Sequence, residues 1–111
     1  MRCLMIATML LPGLAMAADW EPLRRDDAIR KALSDRTLRY DAYTTQYFSK
    51  AGETVYYTER AASGRWDARG GQYCSTWPPS DTWACYDIEV MEDRVRFIAS
   101  DRSQSEGWTA E

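Results

Sequence analysis

The sequence predicts a mainly β domain with one N-terminal helix, an α+β chain in which an antiparallel up-and-down meander of about eight strands forms a small barrel or strongly bent sheet. Three observations carry this. Apolar and aromatic residues alternate with period two in "RTLRYDAY", "ETVYYTE" and "DRVRFIAS". Turn signals recur between such runs at short, fairly even spacing: Ala51-Gly52, Ser63-Gly64, Gly70-Gly71, Pro78 to Asp81, Glu92-Asp93 and Ser103 to Gly107. Connections that short make neighbouring strands antiparallel, because a parallel crossover needs about a dozen residues or more.

The first 17 residues stand apart. Met1-Arg2 is a positive start, Cys3 to Leu14 is almost wholly apolar, and Ala15-Met16-Ala17 puts small residues two apart, as a signal peptidase requires. Residues 1–17 therefore read as a secretory signal peptide. The apolar run falls short of the roughly 20 residues of a spanning helix, so no membrane span is expected. Residues 18–111 are expected to form one β-rich domain that is secreted from the cytoplasm. Removing the leader takes Arg2 and no acidic residue, which leaves 13 basic against 17 acidic residues. A mildly acidic domain with scattered arginines lacks the electrostatic footprint of a nucleic-acid binder.

The helix is expected from about Asp26 to Ser34. Pro22 and the pair Asp26-Asp27 suit a helix start, and Ala28, Ile29, Ala32 and Leu33 make one apolar stripe with Arg30 and Lys31 on the wet face. At little over two turns it needs something to lie on. The strands follow at roughly 37–41, 44–49, 53–59, 65–69, 72–77, 83–91, 94–100 and 106–110. The last is read as an edge strand tucking Trp108 into the core.

Two cysteines remain in the exported chain, Cys74 and Cys85, on either side of "STWPPSDTWA". If these strands form a hairpin over the Pro-Pro turn, the two residues lie opposite each other at bonding distance, and an oxidising compartment favours the bond. Closing a loop of about eleven residues contributes roughly 3 kcal/mol on the chain-entropy account. A redox role would need C-x-x-C or a basic neighbour, and neither is present. Trp77 and Trp83 flank the turn as cross-strand aromatics.

Catalytic patterns are thin, and a non-enzymatic protein is expected. There is no histidine, which removes the usual triads and the commonest metal ligand. Asp87 and Glu89 share one strand face at a spacing that glycosidases use, but the alternation reads more simply as a wet face opposite Tyr86, Ile88 and Val90. Asp26-Asp27 and Glu92-Asp93 suit a cap and a turn. No phosphate loop, zinc spacing or dinucleotide fingerprint occurs, so no metal or cofactor is expected.

The aromatic load is high: five tryptophans, seven tyrosines and two phenylalanines. A small barrel either fills its interior with such rings or keeps a cavity for one ligand. So short a chain favours the packed interior; a carrier would need a cavity lined by Tyr57, Trp66 and Phe97. Surplus Tyr, Trp and Arg at strand ends also suits a protein-binding surface. Candidate binding residues are Ser63, Arg65 and Trp66, in a turn presenting a serine and an arginine before an aromatic, with Trp77 and Trp83.

"DAIRKALSDRTLRY", "GRWDARGGQYCSTWPPSDTWACYDIEV" and "DRVRF" together resemble a group of small exported proteins of Gram-negative bacteria without an assigned activity, the paired cysteines with the intervening tryptophans and prolines being the most specific part. This implies a periplasmic address. Ser63-Gly64 is also similar to the first half of the Ser-Gly-x-x-Tyr loop of the periplasmic C-type lysozyme inhibitors, disulfide-linked small barrels; Trp66 stands one position ahead of that family's tyrosine. The expected function is binding of a protein or cell-envelope component. The alternatives are a glycosidase inhibitor acting through Ser63-Gly64-Arg65, where Arg65 would steer toward an acidic cleft, and a small-molecule carrier. Oligomeric state is not legible.

Overall fold

A computed structural model describes residues 19–110, so the predicted signal peptide lies outside the described residues. The elements are β1 (Glu21–Leu23), α1 (Asp26–Leu33), β2 (Arg36–Arg39), β3 (Thr45–Phe48), β4 (Glu53–Tyr57), β5 (Ala61–Arg69), β6 (Gln72–Thr76), β7 (Ala84–Met91), β8 (Arg94–Ile98) and β9 (Gln104–Thr109). Strands β2 to β9 run antiparallel in chain order, and β9 pairs back onto β2 through Leu38↔Thr109 and Arg39↔Trp108. The meander is thus a closed eight-stranded barrel with one extra strand, β1. Closure leaves the last strand no free edge of its own.

Alternation along each strand decides what lies inside. On β5, Gly64, Trp66 and Ala68 are buried while Ser63, Arg65 and Arg69 are exposed. The outward positions carry Arg39, Glu53, Arg65, Arg69, Glu89 and Arg96, unlike the apolar band of a lipid-facing barrel. No described helix is long and apolar enough to cross a membrane.

The helix closes one end. Its buried residues are Ile29 and Leu33, four apart as the stripe predicts, and they join Leu38, Phe48, Trp66, Ala68, Tyr73, Ile88, Val95 and Phe97 in one core. Rings pack edge to face around Phe48, with Trp66 and Tyr73 each 5.8 Å away. Asp26 accepts the Gly71 N–H at 2.7 Å, tying the first turn of α1 to the β5–β6 hairpin. That hairpin turns on Gly70 and Gly71, both at positive φ, the geometry of a tight two-residue connection.

Three expectations are corrected. Residues 21–23 form a strand, so Pro22 does not start the helix. β1 pairs with β7 from Ile88 to Val90, next to the stretch where β6 pairs with Tyr86, Cys85 and Ala84. A three-residue edge tolerates a proline that donates no ladder bond. Its anchor is the Trp20 ring, 3.8 Å from the Arg96 guanidinium, which bridges Glu89 and Glu106. Second, Ser63-Gly64 is not a turn: the bend falls at residues 58–60, and β5 already runs from Ala61. The glycine marks a close approach inside a strand, where Thr76 and Trp77 leave no room for a Cβ. Third, Trp108 faces outward, 36% exposed beneath the Arg94 guanidinium, and its buried neighbour on the inner side is Gly107.

Candidate functional site

The barrel has two chemically different halves. At the end covered by α1, inward positions are Leu38, Phe48, Trp66, Ile88 and Val95, all buried. Toward the other end the inward positions turn polar and aromatic: Tyr40, Gln46, Tyr56, Ser75, Tyr86 and Ser105 line a pocket of about 380 Å³, with Tyr73 and Phe97 also lining it. Seven of the eight barrel strands or their immediate ends reach it, so this pocket is the mouth of the lumen. Trp77, just past β6, adds a wall.

Ring contacts run around the wall. Tyr40 meets Tyr56 edge to face at 5.8 Å, Tyr56 lies 5.9 Å from Trp77, and Tyr73 lies 5.1 Å from Phe97 and 6.0 Å from Tyr86. Gln46 is fixed at the base by hydrogen bonds. Its Oε1 accepts the Tyr40 hydroxyl at 2.7 Å, while Nε2 donates to Thr54 Oγ1 at 2.8 Å and to the Tyr73 hydroxyl at 3.3 Å. The Thr54 hydroxyl in turn donates to the Tyr47 carbonyl at 2.8 Å. A buried amide with partners this complete is a rigid floor.

The pocket is neutral. Its lining holds no Asp, Glu, Lys or Arg. Burial holds the Tyr40 phenol far above the ordinary tyrosine range, with the neighbouring phenols Tyr73 and Tyr56 adding to it. Burial pushes Tyr73 up to about 12, against the hydrogen bonds to Ser75 and Gln46 that favour the phenolate. Desolvation raises Tyr56 as well. These hydroxyls stay protonated through the physiological range and present dipoles, not charge.

The sequence-predicted site residues do not form one site: Arg65, Trp66 and Trp83 share a groove on the outside of the barrel. Trp77 alone reaches the mouth. Trp66 is buried in the core, its indole N–H donating to the Ser49 carbonyl at 2.9 Å. Ser63 and Arg65 are exposed on the outer face of β5, so they belong to a strand surface and not to a projecting turn of the kind that enters a cleft. Trp83 lies outside the barrel under the Arg69 guanidinium at 4.0 Å. Cys74 and Cys85 are directly opposed in the β6–β7 register and form the predicted disulfide. Of the cavity residues expected for a carrier only Phe97 lines the pocket; Tyr57 faces the other way, one position from Tyr56, and is 46% exposed. Asp87 accepts from Gln72, and Glu89 is paired with Arg96. Among the described residues no group of three or more acidic, cysteine or histidine side chains is arranged to hold a metal ion.

Sequence reading missed Tyr40, Gln46, Tyr56, Tyr73, Ser75, Tyr86 and Ser105 as a set. The signal was available in the alternation. With strands running up and down, inward positions at one end read Leu, Phe, Trp, Ile and Val, and at the other Tyr, Gln and Ser. No protein family, curated protein or solved structure matches the chain.

Proposed function

We propose that this protein is a non-enzymatic binding barrel that holds one compact, flat, uncharged organic molecule in its mouth. The observation that carries the reading is the change of lumen chemistry along the barrel axis. A barrel selected only for packing has no reason to place four tyrosines, a glutamine and two serines around open space at one end. Eight strands enclose room for side chains or for one small ligand, and here the helix half takes the first option and the mouth the second. A volume near 380 Å³ is at the small end of ligand pockets. Ring faces supply stacking, hydroxyls supply orientation, and the uncharged lining selects against ions. The covalent Cys74–Cys85 link supports an oxidising, extracytoplasmic compartment as the place of action.

The test uses the neutral fluorophore N-phenyl-1-naphthylamine with the exported chain. Saturable one-to-one enhancement, lost on Ser105→Trp, supports the reading, since an exposed rim serine replaced by an indole fills the mouth without disturbing the core. Enhancement that Ser105→Trp leaves untouched contradicts it.

A second reading, recognition of a protein or envelope component, is favoured by one observation. Tyr43, in the β2–β3 loop at the mouth, is 85% exposed, and tyrosine is a frequent interface anchor. Loss of partner capture in Tyr43→Ala, with fluorophore binding kept, separates this role from the pocket.

A further inference from the structure

A second site lies on the outside of the barrel. Arg30 of α1, Lys50 of the β3–β4 turn, and Arg65 and Arg69 of β5 line one groove of about 280 Å³ with Asp67 and Trp83. The whole chain carries a net charge of −3, so four cations around one carboxylate run against the protein's own balance.

The four are not equivalent. Asp67 bridges Arg30 at 2.9 Å and Arg69 at 3.0 Å, and these partners, Arg30 foremost, hold its carboxyl below the usual carboxylate range. Arg30 also donates to the Ala68 carbonyl at 2.9 Å, and Arg69 is stacked on Trp83. Two guanidinium groups are therefore fixed in place. Arg65 and Lys50, both exposed, are in no ion pair among the described residues. Two further carboxylates lie nearby: Glu53 faces Arg65 in the β4–β5 register and lines an adjoining groove, and Asp35 accepts the Lys50 backbone N–H at 3.2 Å. Arg65 turns toward the Gly52 turn, its Nη2 3.8 Å from where a Gly52 Cβ would sit, which brings it to the Lys50 side of the groove.

We infer that this groove binds a ligand bearing a phosphate group, with Arg65 and Lys50 meeting the phosphate oxygens and Arg69 and Arg30 forming a fixed cationic wall. The guanidinium fork matches phosphate oxygens in pairs, a lysine adds a point charge, and a dianion answers clustered cations better than a single carboxylate does.

The test titrates inorganic phosphate into ¹⁵N-labelled exported chain at constant ionic strength, balanced with sodium chloride. Expected are saturable shifts of the Arg65 and Arg69 side-chain N–H and the Trp83 indole N–H. The double variant Arg65→Gln, Lys50→Gln should lose at least about tenfold in affinity with circular dichroism unchanged. Shifts that stay linear, that chloride reproduces, or that persist in the double variant overturn the inference. Phosphatidic acid vesicles, whose headgroup is a phosphate monoester, separate the sources. Co-sedimentation that phosphate competes away and the double variant loses assigns a lipid headgroup, and phosphate binding without co-sedimentation assigns a soluble phosphate ester. Co-sedimentation that the double variant retains removes this groove as the site.

Discussion

A Cβ built on Gly64 would stand 2.7 Å from Cε3 and 2.8 Å from Cδ2 of the Trp77 indole, and 2.6 Å from the Thr76 carbonyl oxygen. Gly64 is thus the seat against which the tryptophan wall of the mouth rests. Its backbone is ordinary strand, so space, and not conformational freedom, requires the glycine. Gly64→Ala should destabilise by about 1–3 kcal/mol through overpacking and weaken N-phenyl-1-naphthylamine binding, because Trp77 must move. Denaturant unfolding and fluorophore titration check the two effects; a variant with native stability and affinity would show that the indole has another resting place.

Phe48 is the centre of the closed half, fully buried and in ring contact with Trp66, Tyr73 and Phe97. Phe48→Ala should cost about 3–5 kcal/mol in urea unfolding, a large share of the stability a small domain has.

The disulfide should be worth about 3 kcal/mol by loop closure, since its cysteines are 11 residues apart. Cys74→Ala with Cys85→Ala, compared with the oxidised parent by thermal unfolding, checks this. Cys74 is fully buried and Cys85 exposed, so alanine suits the first position better than serine.

The mouth tyrosines make a pH prediction. Burial lifts the folded-state Tyr73 phenol from the ordinary 10 to about 12, so the folded protein holds that proton more tightly than the unfolded chain. The stabilising term is complete below pH 10 and is lost as pH rises from about 10 to 12. Ligand affinity should be flat from pH 6 to about 9, where the lining stays uncharged. Tyr73→Phe should remove its share of the alkaline loss and cost about 1 kcal/mol at neutral pH, because Gln46 Nε2 loses its bond to the Tyr73 hydroxyl. A bell-shaped affinity profile centred near neutrality would contradict a neutral pocket.

The fold was largely legible because its signals are local. Alternation in three runs and the turn signals between them marked about eight strands, and the spacing of Ile29 and Leu33 marked the helix. β1 was not legible: three residues have no period, and what holds them is a contact between Trp20 and Arg96, 76 positions apart. Ser63-Gly64 misled because a glycine beside a serine reads the same in a turn and at a close approach within a strand. The site was less legible than the fold. In "TVYY" both Tyr56 and Tyr57 fit an inward position, and only the register with β3 and β5 assigns Tyr56 to the lumen. Which end of the lumen stays open depends on where α1 docks, a tertiary fact with no local signature.

Proton contacts between bound N-phenyl-1-naphthylamine and the protein's aromatic rings would locate the ligand directly by intermolecular NOEs. The account predicts contacts to Tyr40, Tyr56 and Trp77 at the mouth and none to Tyr57 on the outer face. Contacts confined to Tyr43 and Tyr57, with the lumen rings silent, would contradict it.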